Sequence, residues 1–151
     1  MLPRKVVSAS ISGVLFAILL GFFLRNSAEP LYFYSVSTMI WVYVMYSFPV
    51  ILIYGVVTSI ISDKAGQYFL KKSGSRKLEF VVSGILHIGF GLVFLPYSLG
   101  AAILFFVTDR LLQRRETTFQ SVQAVKSLLI PLAIWFVSWG ILWTQHLISV
   151  N

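Results

Sequence analysis

The fold class this sequence predicts is all-α, a polytopic bundle of membrane-spanning helices, and three observations lead to it. Of the 151 residues, 58% are hydrophobic and only 11% are charged, where a soluble domain carries about a quarter charged residues. The charges punctuate long apolar runs of the length that crosses a bilayer. Lys and Arg also gather in alternate polar segments, as they do in the cytoplasmic loops of multi-pass proteins. A water-soluble globule and a disordered tail are both excluded, and the length suits one domain covering 1–151.

The elements follow in order. Residues 6–24 are free of charge and, as a helix, would reach about 28 Å, close to one hydrocarbon core. Arg4 and Lys5 precede this run, yet it is long for a signal core and Asn26-Ser27-Ala28 is a poor cleavage site, so a retained span is expected. A polar link at 25–30 leads to a second uncharged run at 31–62. Tyr32 and Tyr34 suit the headgroup zone, and the span proper is 36–61, tilted or bent at Pro49. The segment 63–79 reads as a basic loop with Ser73-Gly74-Ser75 as its turn.

Residues 80–107 allow one long helix or a hairpin. Pro96-Tyr97-Ser98 followed by Gly100 is turn chemistry and favours two short spans, 80–95 and 97–112. A second basic segment precedes the last span at 127–147. Charge placement decides the count. Five spans with a cytoplasmic N-terminus put eleven basic residues inside and one outside, whereas four spans give seven against five. Five spans, N-terminus inside and C-terminus outside, is the expectation, with four as the alternative. The net charge of +7 is then mainly a topogenic signal rather than a nucleic-acid footprint.

A weak internal repeat fits the hairpin. Residues 12–24 and 83–95 share five identities in 13 positions, both beginning Ser-Gly and ending Phe-Leu. The partner helices end alike, in Ser62-Asp63-Lys64 and Thr108-Asp109-Arg110.

Three sets of residues stand out. Ala9, Gly13, Ala17 and Gly21 recur every four residues and form a small-residue seam, for packing within the bundle or for self-association. His87 falls in the middle of the third span, with Ser83 and Gly91 one turn to either side. An imidazole at that depth is a candidate for ligand binding or proton relay, its plain alternative being a hydrogen bond to a neighbouring helix. Trp135, Trp139 and Trp143 line one face of the last span and offer a partner surface or a lipid-facing one. Asp63 and Asp109 each stand beside a base, so local ion pairs with Lys64 and Arg110 are expected.

Enzyme chemistry finds no foothold. There is no cysteine, phosphate-binding glycine loop or helical zinc pair, and no serine has a histidine and an acid at matching depth. No cofactor or metal is expected.

Phe48-Pro49 through Tyr54-Gly55 to Ser62-Asp63, and Leu86-His87 through Phe94-Leu95-Pro96 to Asp109-Arg110, are similar to a family of small uncharacterised multi-pass membrane proteins of Gram-positive bacteria. The resemblance spans about residues 6–115 and implies a bacterial plasma-membrane location, with no activity to carry over to any residue. The function expected is that of a non-enzymatic membrane protein acting through lipid, another membrane protein or self-association, in an accessory, immunity or envelope role. The alternative is a small transporter or channel with His87 lining a polar path.

Overall fold

The computed structural model describes residues 1–24, 32–92, 95–114 and 119–150, and it is helical almost throughout. Helix α1 is Leu2–Phe23. Helix α2 (Tyr32–Val50) continues through a π-helical segment, Ile51–Gly55, into α3 (Val56–Ser73), making one long rod. Helices α4 (Arg76–Gly91) and α5 (Leu95–Arg114) follow, then a short α6 (Ser121–Ser127) leading into α7 (Leu129–Val150).

Three of these stretches, Leu2–Phe23, Tyr34–Ser73 and Ser121–Ile148, are long and apolar enough to cross a membrane. They contain the spans expected at 36–61 and 127–147 and nearly all of that at 6–24, whose last residue lies just beyond α1. Of the other two, 80–95 runs past the end of α4 at Gly91, with 93 and 94 outside the described residues, and 97–112 lies within α5; neither helix reaches that combination of length and apolarity.

Three segments differ from the sequence reading, each for a local reason. Helix α1 begins at Leu2, because Pro3 sits in the first turn, where a missing N–H costs nothing. Arg4 and Lys5 are therefore inside the helix, not ahead of it. The expected loop 63–79 is mostly helix, since its Lys, Gln, Ala and Leu are good helix formers. Only Gly74-Ser75 remains as the turn. Gly74 has φ of 70° and its N–H closes α3 onto the Leu70 carbonyl at 2.7 Å. Pro96, Tyr97, Ser98 and Gly100 do not form the turn but open α5, where Pro again fits the first helical turn. The π segment begins two residues after Pro49, consistent with the ladder re-registering where the ring removes a donor and crowds the preceding carbonyl. The link at 25–30 and the side chain of Tyr32 lie outside the described residues.

Antiparallel neighbours build the bundle. A Cβ on Gly13 would meet Phe48, and one on Gly21 would meet Ile40 at 2.5 Å and the Val36 carbonyl at 3.3 Å. Ala9, Gly13, Ala17 and Gly21 are all buried, and at its glycines the seam is filled by α2 of the same chain. Helix α3 meets α4 with similar closeness, a Cβ on Gly66 lying 2.9 Å from the Glu79 carbonyl. Helix α5 completes a ring with α4 and α1. The apolar core of Phe16, Ile51, Val56, Ala101 and Phe105 lies at the centre. Without a hydrophobic force between helices in lipid, such close backbone approach is what holds them.

Gly21→Leu should accordingly cost about 1–3 kcal/mol by overpacking, whereas Leu15→Ala, on an exposed position of α1, should be nearly silent. Thermal melting in detergent compares them; equal midpoints for the two variants would remove the seam from the account.

Candidate functional site

Helical periodicity sets polar side chains on the inner faces of four helices. On α3, Ser59, Ser62 and Asp63 are spaced three and four apart and share a face. On α4 the same spacing joins Ser83, His87 and Gly91, and on α5 it joins Ala101, Phe105 and Asp109. From the first turns of α1 come Arg4, Lys5 and Ser8. The tertiary packing brings these faces to a common centre.

Lys5 is at that centre and is wholly buried, with 0% exposure. Its ammonium has three protons and uses all three: one to Ser59 Oγ, one to Asp63 Oδ2 at 2.5 Å and one to Asp109 Oδ2 at 2.7 Å. Arg4 forks onto Asp109, with Nε to Oδ1 at 2.9 Å and Nη2 to Oδ2 at 3.3 Å. Arg110 Nη2 donates to Asp63 Oδ1 at 3.1 Å and to Ser83 Oγ at 2.8 Å, and Ser83 in turn donates to Asp63. Ser8 donates to Asp109 at 3.2 Å. Burying charge is tolerable only where each charge meets an opposite one, and in this cluster Arg110 Nε has no hydrogen-bond partner among the described residues. The cluster holds one more cation than carboxylates.

The expected local ion pairs are thus corrected. Lys64 is exposed, and Arg110 pairs with Asp63 on another helix rather than with Asp109 beside it. Adjacent residues on a helix point in different directions, so their side chains do not face each other. The two aspartates that correspond in the internal repeat grip a single ammonium from either side.

One helical turn along α4 from Ser83 lies His87, 5% exposed and stacked on Phe105 at 5.8 Å between centroids, with Phe106 at 5.4 Å. Neither ring nitrogen has a hydrogen-bond partner among the described residues. The plain reading of His87, a hydrogen bond to a neighbouring helix, does not hold. The ring lines a cavity of about 460 Å³ that runs from Thr58 and His87, past Phe16 and Ile51, towards Leu24 and Tyr97. Tyr54, in the π segment, also lines it and donates to the Phe90 carbonyl at 3.0 Å.

The tryptophans of α7 stand apart from this centre. Trp135 stacks on Trp41 of α2 at 5.9 Å, which gives that ring a partner within the chain. Trp139 and Trp143 stack on each other at 6.1 Å and remain exposed.

Sequence reasoning singled out His87 but missed Lys5, Ser8, Ser59 and Ser83 as members of one site. A signal was present, since Ser8, Ser10 and Ser12 alternate directly after Arg4 and Lys5 in the first half of a helix whose second half is apolar. Compared with known proteins, the chain matches no family model, no curated protein and no solved structure.

Proposed function

We propose that the chain is a non-enzymatic plasma-membrane protein that carries a small molecule in its central cavity, as a small transporter would. The observation that carries this reading is His87. A buried imidazole with both nitrogens unpaired among the described residues, facing a cavity, lacks a partner that a ligand would supply. The hydrogen-bonded chain Ser83, Asp63, Lys5 and Asp109 begins one turn away and leads towards the N-terminus of α1, a polar continuation of the cavity floor. A buried His with charged groups one turn beyond it is a common arrangement for proton-linked movement.

The topology proposed with it is five crossings, N-terminus cytoplasmic and C-terminus extracellular. It is supported by the eleven-to-one distribution of basic residues and by the antiparallel order of α1 with α2, α3 with α4, and α4 with α5. Cysteines at Ser75 and Asn151, labelled with an impermeant thiol reagent, test it. Asn151→Cys should react in intact cells and Ser75→Cys only after permeabilisation; the reverse pattern would overturn the orientation.

Function is tested by proton-coupled dye flux in proteoliposomes. Wild type should show flux and His87→Gln should lose it with its melting temperature kept. No flux in either protein would return the reading to a contact role. For that second reading the supporting feature is the exposed Trp139–Trp143 stack, a surface for another membrane protein or a second copy.

A further inference from the structure

We infer that the cavity binds a single-chain amphiphile with an uncharged oxygen headgroup, taken laterally from the bilayer, with its head at His87 and its chain along α1. The inference rests on the carrier reading above and adds the chemical class of the ligand and its route.

The head follows from what the cavity floor offers. Neutral imidazole presents one donor and one acceptor, and a hydroxyl can answer either. Thr58 also lines the cavity, and its own hydroxyl is turned to the backbone of Tyr54. Among the described residues, no ionised side chain lines the cavity. A carboxylate or phosphate brought there would lose its water without a cation to replace it. The nearest cations, Lys5 and Arg110, are already committed to Asp63 and Asp109. An ammonium head would fare worse, because the adjoining cluster already has a surplus cation.

The chain follows from the walls. Phe16, Leu20, Ile51 and Phe105 present apolar surface above His87, and about 460 Å³ is within the range of small-molecule sites. The route follows from the rim. Tyr46 and Val50 on α2 and Tyr97 on α5 line the cavity and are exposed, so the mouth lies between these two helices. Tyr46 and Val50 flank Phe48, which packs on Gly13 in the middle of α1. That depth is acyl chain rather than water, so the ligand is one that already resides in the membrane.

The test uses the full chain in phosphatidylcholine nanodiscs and a photoreactive dodecanol analogue, with labelled peptides mapped by mass spectrometry. Labelling should saturate, fall on segments around Phe16–Leu20 and Ile51–Gly55, and be competed by dodecanol about tenfold better than by dodecane, the effect of one hydrogen bond to a buried group. His87→Phe should erase that difference. Should His87→Phe fail to fold, Ala101→Leu, which fills the cavity and leaves the imidazole, should abolish labelling instead. Equal competition by dodecane, stronger competition by dodecanoate or dodecylamine, or unsaturable labelling spread over α7 would each overturn the inference. Saturable binding in a protein without flux supports the ligand class and removes transport alone. Flux that depends on His87 without saturable binding removes the ligand class and leaves transport.

Discussion

Asp63→Ala is expected to be among the most damaging substitutions in this chain, at about 3–5 kcal/mol, the cost of stranding buried charge. It would leave Arg110 without its carboxylate and Ser83 without its acceptor, and three cations would face Asp109 alone. Lys5→Met should cost less, although Lys5 is the more deeply buried group. With Lys5 gone, Asp109 keeps Arg4 and Asp63 keeps Arg110, and the cluster becomes neutral. The double variant returns the cluster to the wild-type charge surplus, so it should be more stable than Asp63→Ala alone. A double-mutant cycle on melting free energies measures this coupling. Additive losses would mean that Lys5 and Asp63 do not couple, and Lys5→Met worse than Asp63→Ala would show that the ammonium rather than the carboxylates organises the site. Because the partners are buried, the ranking should also persist at high salt.

Phe105→Ala is the second large effect, also about 3–5 kcal/mol for an emptied aromatic site. Phe105 is almost fully buried, belongs to the apolar core and supports the His87 ring. Its removal would enlarge the cavity and free the imidazole to turn. Phe23→Ala, at the exposed end of α1, should by contrast change little. Detergent melting curves in which both variants match wild type would mean that the centre of the bundle is loosely packed.

Much of the architecture is legible in the residues. Apolar runs of span length, basic segments between them and a proline in the second run suffice to place helices and to anticipate an irregularity near Pro49. The small-residue seam is legible for the same reason: a four-residue period has few uses other than close helix contact. Helix ends are less legible. Polar residues after Ser62 read as a loop, yet nothing in Lys64, Gln67 or Lys71 opposes a helix, and α3 runs on to Ser73.

The ion cluster was beyond reach of local reading. Lys5 is separated from Asp63 by 58 positions and from Asp109 by 104, and one-dimensional charge patterns favour the neighbour in sequence, which a helix turns away. By itself the sequence determined a helical protein with membrane-length apolar segments, because hydropathy and charge placement act residue by residue on transfer into lipid. Only the tertiary structure decided which charges meet, that Lys5 is buried rather than snorkelling, and that His87 faces an open cavity without a hydrogen-bond partner among the described residues. Those outcomes depend on how four helices rotate about their axes when their glycines and alanines come into contact, and that rotation is settled by packing among helices, not by any one of them.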